Sequence, residues 1–275
     1  DAMTGIEAAH FAGAPLDLTA KRDPEGLAAA VGGTVLPTGS VRVADAGQVT
    51  TMPGFAQGDW WVQDAAASLP ARLLGAVDGR DVADLCAAPG GKTAQLANAG
   101  AHVTAVDGSA NRLRRLAVNL DRLGLSAEIV RADLVTWRPA RLFDAVLLDA
   151  PCSATGTLRR HPDIAWTKTP DDIARLAAAQ RRLLDAASAL VRPGGRLVFS
   201  NCSLDPEEGE QLIAGFLDER HDFCREPVGP AEFDGLEGLV DARGDLRTTP
   251  ADWPAEDPRW SGMDGFFATR LRRSG

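Results

Sequence analysis

Two cysteines, Cys152 and Cys202, lie 50 residues apart in segments of similar form. LLDAPCS (147–153) and LVFSNCS (197–203) each run an apolar stretch into a thiol. A thiolate is a strong nucleophile, and two thiols facing one pocket are able to make and then release a covalent bond to a substrate. A disulfide or metal site has less support, because neither C-x-x-C spacing nor nearby histidines accompany the pair. Cys224 reads as an inert buried hydrophobe. Cys86 reads the same way, or as a lender of backbone atoms to a ligand loop.

That loop is DLCAAPGGKTAQLA (84–97). Cys86, Ala87, Ala88, Pro89, Gly90, Gly91 and Lys92 form a turn of small side chains. Such a turn lets a ligand approach the backbone closely, and the helix that follows aims free N–H groups at an anion. The glycine spacing matches neither G-x-G-x-x-G nor G-x-x-x-x-G-K-[ST], which argues against a dehydrogenase or a phosphate loop. Asp107 closes the next apolar run, where a carboxylate grips ribose hydroxyls. Asp133 follows the third run, within reach of an adenine amino group, and Asp149 follows the fourth. A nucleoside with a small carboxylate tail suits this series better than a pyrophosphate, and S-adenosylmethionine (SAM) is such a ligand.

The elements that must position these residues alternate in type. DVADLC (81–86), HVTAVD (102–107), 127–130, FDAVLLD (143–149) and 196–200 read as buried strands. Helices are expected over 64–74, 92–99, 110–123 and 171–191, the last ending at Pro193-Gly194-Gly195. Alternating strands and helices imply a doubly wound, mostly parallel Rossmann-like α/β sheet. Ligands of such sheets sit at the carboxyl ends of the strands, where Cys86, Asp107, Asp149 and Cys202 all fall. The tail 263–273 is expected as an antiparallel edge strand. Residues 1–62 read as a small α/β appendage, with a helix over 24–31 and β-structure over 34–43, and 63–275 as the catalytic domain. The chain opens abruptly on a helix-like AMTGIEAAHFAG, so it is expected to be part of a longer protein.

The chain has 275 residues and a formal net charge of −9, which by itself argues against a polyanionic partner. The charge is unevenly spread: residues 205–258 hold 16 acidic and 4 basic side chains, so the remainder is net positive. The acidic tract is expected to be a solvated face turned away from any polyanionic partner. Arg159, Arg160 and Lys168, with Arg270, Arg272 and Arg273 at the tail, are the candidates for phosphate contacts. Trp60, Trp61 and Trp166 are expected to pack, and His161 to brace its loop. Four cysteines are too few for a disulfide framework. A cytoplasmic, monomeric protein with reduced thiols is expected, with no metal and no membrane partner.

DLCAAPGGKT, LLDAPCSATGTLRRHPDIAW, SNCS and the closing GMDGFF resemble the Sun family of RNA cytosine methyltransferases. Within it the likeness is to the RsmB-type enzymes acting on small-subunit (16S) ribosomal RNA. The resemblance implies methylation of carbon 5 of a cytosine, with SAM as cofactor. It places the cofactor at 86–92, Asp107, Asp133 and Asp149, makes Cys202 the nucleophile, and gives Cys152 to product release. Asp149 is the candidate protonated carboxyl that stabilises charge on the cytosine ring, and Lys92 is either a charge beside Cys202, a brace of the cofactor loop or a solvated lysine. The chain departs from the family at Asn201, where most relatives have threonine, and the resemblance implies an amino-terminal helical RNA-binding module that is expected to be missing from these residues. Alternatives are a DNA cytosine methyltransferase, in which Cys152 would attack, and a non-catalytic SAM-binding ribosome assembly factor.

Overall fold

Hydrophobic alternation and well-placed caps divide the chain between two sheets. The computed structural model describes residues 2–229, 232 and 235–275. Helix α1 (Ala2–Ala12) precedes β1 (Leu16–Ala20), α2 (Pro24–Val31), β2 (Thr34–Val35), β3 (Val41–Val43) and β4 (Trp60–Val62), which form an antiparallel sheet in the order β2-β3-β1-β4. Helix α2 starts where Asp23 accepts a hydrogen bond from Gly26 N with Pro24 in the first turn, and stops at Gly32 with φ of 67°. Leu18, Leu27, Val41, Val43 and Trp60 give this sheet its own core. Beneath it the fully buried pair Arg42–Asp17 closes at 2.7 Å. Arg42 also donates to Trp260 O and Asp17 accepts from Ala65 N, which ties the sheet to both ends of the larger unit.

The second sheet contains α3 (Leu69–Arg72), β5 (Asp81–Leu85), α4 (Gly91–Asn98), β6 (His102–Asp107), α5 (Ala110–Leu123), β7 (Glu128–Arg131), β8 (Phe143–Asp149), α6 (Ile164–Thr167), α7 (Pro170–Ser188), β9 (Val191–Asn201), α8 (Glu210–Glu219), β10 (Phe223–Arg225), β11 (Leu246–Thr248) and β12 (Phe266–Arg273). Its order is β10-β12-β9-β8-β5-β6-β7, with β11 also paired to β12. The strands from β9 through β7 run parallel, and the chain reverses its direction of travel across the sheet between β5 and β8. Side-chain alternation sends Val82 and Val103 to a core that also holds Leu96 of α4. Ala83, Leu85 and Val106 go to the opposite core, with Leu184 and Phe216 of α7 and α8. Helix α5 buries Leu113, Leu116 and Leu120 against Ala94 and Ala105.

Three local expectations change. The helix expected over 64–74 is a 3-10 turn (Ala66–Ser68) followed by the short α3, because Pro70 has no N–H to continue a helix and is accepted only in a first turn. Pro193-Gly194-Gly195 does not end α7 but lies inside β9, where a register shift against Phe143–Ala145 absorbs it. The tail is antiparallel as expected, yet β12 is an interior strand, flanked by β9 on one side and by β10 and β11 on the other.

Candidate active site

The parallel register fixes the site first. Asp149 ends β8 opposite Ser200 of β9, so the chain continues into the Cys152 loop and the Cys202 turn side by side. The two Sγ atoms are 3.4 Å apart, and both thiols are free and half-buried. Three backbone segments meet here: Gly156 N donates to Cys202 O at 2.9 Å, and Gly265 N to Gly156 O at 2.8 Å. A Cβ on Gly156 would lie 2.1 Å from Gly265 O, so only glycine admits this stacking.

A buried carboxylate grips both cysteine segments. Glu208 accepts from Ser153 N at 2.9 Å, from Ser153 Oγ, and from Gln180 Nε2 at 2.7 Å. Asn201 donates to Gln180 Oε1 and Glu208 O and accepts from Ser203 N, so the residue that departs from the family pattern knits the Cys202 turn to the same network. Contact with Cys202, burial and the Glu208 charge together push the Cys152 thiol well above the ordinary range.

Lys92, on the first turn of α4, is buried rather than solvated. Its Nζ donates to Asp149 Oδ2 at 2.8 Å and lies 5.1 Å from the centre of the Phe266 ring. Ser200 Oγ donates to the other Asp149 oxygen at 2.9 Å. Both oxygens of Asp149 therefore accept hydrogen bonds, and Lys92 Nζ is a donor held beside them. Behind Lys92, burial lifts the Asp84 carboxyl to about 7; Thr93 donates to one of its oxygens, and Oδ1 has no partner among the described residues.

The 86–92 loop begins with Cys86 at φ of 58° and turns at Gly90, φ 105°. Burial, with Asp149 and Asp107 nearby, pushes the Cys86 thiol up to about 12, which leaves it inert at neutral pH. Asp107 is buried, accepting from Ser109 N and Ala88 N, with Arg112 3.4 Å away. Asp133 accepts from Val135 N through one oxygen. A cleft of about 730 Å³ runs between them, lined by Cys86, Val106, Asp107, Gly108, Asp133 and Pro151. That size is within the ordinary range for a small-molecule site. The donor set fits a nucleoside, because each carboxylate oxygen retains acceptor capacity for hydroxyl or amino groups.

The basic residues expected beside the pocket are placed otherwise. Arg159 is fully buried, bound to Asp264 at 2.7 Å and Asp64 at 2.6 Å, and Arg160 binds the same two carboxylates. Arg270 is buried against Glu232, while Arg272 and Arg273 pair with Glu226 and Asp222. Arg159, Arg160 and Arg270 are thus held in ion pairs within the protein, whereas Arg272 stays exposed 3.7 Å from Glu226 and Lys168 is exposed with no salt bridge among the described residues. The acidic tract is not wholly a solvated face, since Glu208 and Asp245 are fully buried. Cys224 is exposed, His161 is exposed with no side-chain hydrogen bond among the described residues, and Trp166 is 90% exposed, whereas Trp60 and Trp61 pack inside. Glu208, Asp64 and Asp264 were missed by sequence reasoning; the spacing of Asp264 within GMDGFF was the one available signal.

A parallel sheet with this strand order, an acid closing its second strand and a glycine turn after its first is the fold of SAM-dependent methyltransferases. The sequence profile described as 16S rRNA methyltransferase RsmB/F matches residues 71–272, and the chain belongs to that family. It is 43% identical to the ribosomal RNA small subunit methyltransferase B of Pectobacterium atrosepticum, over 84% of this chain and 51% of the relative. For the protein of the same description from Sodalis glossinidius the identity is 44%, over 79% and 51%. The chain thus spans about half the length of the curated relatives it matches. Among solved structures, a methyltransferase homolog protein from Pyrococcus horikoshii superposes with a TM-score of 0.76 at 28% identity, covering 98% of this chain and 90% of that one. NSun6 from Pyrococcus horikoshii with SFG gives 0.69 at 27%, covering 84% and 57%.

Proposed function

We propose that this protein methylates carbon 5 of a cytosine in small-subunit ribosomal RNA through a covalent adduct to Cys202. The observation that carries this reading is the pair of free thiols 3.4 Å apart, beside the Lys92–Asp149 ion pair. Family membership supports the rRNA substrate.

Carbon 5 of cytosine is a poor nucleophile until carbon 6 carries an electron-rich substituent. Addition of the Cys202 thiolate to carbon 6 forms a C–S bond and moves electron density to carbon 5 and the ring nitrogen. Cys152 lies 3.4 Å away, and its thiol, pushed up by Cys202, burial and the Glu208 charge, stays protonated. The Lys92 ammonium, oriented by Asp149 and Ser200, supplies a fixed donor where negative charge gathers on the ring. SAM, held by the 86–92 loop, Asp107 and Asp133, supplies an electrophilic methyl group when bound. Cys152 then hands its proton to the departing Cys202 sulfur and, as a thiolate, draws off the carbon 5 proton, which restores the aromatic ring.

The two single variants should fail differently. Cys202→Ala should give neither product nor adduct. Cys152→Ala should attack and methylate but release slowly, leaving a protein–RNA complex that survives denaturing electrophoresis with SAM and ribosomal RNA. An adduct from Cys202→Ala, or none from a Cys152→Ala protein that binds both ligands, overturns the assignment.

A further inference from the structure

The loss of Arg159, Arg160 and Arg270 to internal ion pairs leaves a phosphate-binding protein in need of another cationic surface, and α5 has one. Asn111, Arg115, Val118, Asn119 and Arg122 recur at the spacing that puts them on one helix face. The face contains no acidic residue. Arg115 is exposed and has no ion-pair or hydrogen-bond partner among the described residues, and Arg114 beside it touches only Asn111. Arg122 donates to the carbonyls of Phe55 and Trp60, stacks 4.2 Å over the Phe55 ring and meets no carboxylate among the described residues. At the carboxyl end of α5, Lys21 Nζ donates to Leu123 O, and the next residue, Arg22, is exposed. Asp23 and Asp59 line the hollow next to Arg22, so a phosphate is favoured over the helix rather than within that hollow.

Two further features join this face to the chemistry. Asn119 Nδ2 donates to Pro89 O at 3.0 Å, directly on the cofactor loop. A cavity of about 320 Å³ is lined by Asn119, Arg122, Leu123 and Phe55 together with Lys92 and Asp149. Val118, 68% exposed among the cations, adds apolar surface of the kind a nucleobase covers.

We propose that the cationic face of α5, continued by Arg22, carries the phosphates of an RNA strand at the mouth of this cavity. The inference rests on the reading of the chain as an RNA methyltransferase. It is tested on the whole chain by fluorescence anisotropy with a small-subunit rRNA transcript, titrated with salt, and by methylation in parallel. Arg22→Glu with Arg115→Glu should weaken RNA binding about tenfold and lower the salt slope by about one per lost phosphate contact. SAM affinity, measured by calorimetry, should not change. Arg182→Glu, a single charge reversal on an exposed arginine of α7 across the sheet, should bind RNA as the wild type does. Unchanged affinity and salt slope in the double variant, an equal loss in Arg182→Glu, or no RNA binding by the wild type overturns the proposal. A wild type that binds RNA in this α5-dependent way but forms no 5-methylcytosine would refute the catalytic reading alone.

Discussion

Removing Arg159 separates a structural from an RNA-binding role. Its guanidinium is fully buried between Asp64 and Asp264, whose side chains are 5% and 6% exposed. Burial alone would raise the Asp64 carboxyl, but Arg159 and Arg160 overcome it and hold Asp64 at about 2. Asp64 also accepts from Ala66 N and Asp264 N, so neither carboxylate is free to turn toward water. Arg159→Ala would leave two adjacent buried carboxylates sharing the partly exposed Arg160. Breaking a buried pair from one side costs about 3–5 kcal/mol. At about 2–4 °C per kcal/mol for a chain of this size, Tm should fall by roughly 10 °C. Asp264→Asn in the Arg159→Ala background should recover part of that loss, because it removes one of the stranded charges. Thermal melts of the wild type and both variants at pH 7, alongside RNA anisotropy, decide the matter. A Tm within a degree or two of wild type, together with weakened RNA binding, would show that Arg159 is a phosphate contact and that the buried network is wrong.

Asp84 offers a pH test: its folded pKa of about 7 lies above the ordinary 3.8, so its contribution to stability is fully present below 3.8 and is lost as pH rises through about 7. Asp84→Asn, neutral throughout, should shrink the fall in Tm between pH 5 and 8, and parallel profiles for the two proteins would count against a buried carboxyl of this kind. Asp107→Ala should weaken SAM binding by about 1.5–3 kcal/mol through lost charge-assisted hydrogen bonds; calorimetry showing the wild-type affinity would remove Asp107 from the cofactor site. Gly156→Ala forces a Cβ to 2.1 Å from Gly265 O, so it should lower Tm and abolish methylation while the reduced thiols remain titratable. Wild-type turnover in that variant would mean that the stacking of the two cysteine segments on the tail is dispensable.

Local signals carried much of the architecture. The apolar runs 81–86, 102–107 and 143–149 and the spacing of Leu113, Leu116 and Leu120 are written within a few residues of the elements they specify, and the structure follows them. The topology rules for parallel sheets then sufficed to bring Cys152 and Cys202 to neighbouring strand ends. The fate of the charges was decided only in three dimensions. Arg159 reads as a phosphate contact beside the Cys152 loop, yet its partners lie 95 and 105 residues away. Lys92 meets Asp149 across 57 residues, and Glu208 holds Ser153 across 55. A charge is stabilised or neutralised by whatever lies within a few ångströms after burial, and interaction at that range depends on the packed fold, not on neighbours along the chain. Periodicity and turn chemistry act between residues close in sequence, so they are legible in it; the pairing of buried ions is not.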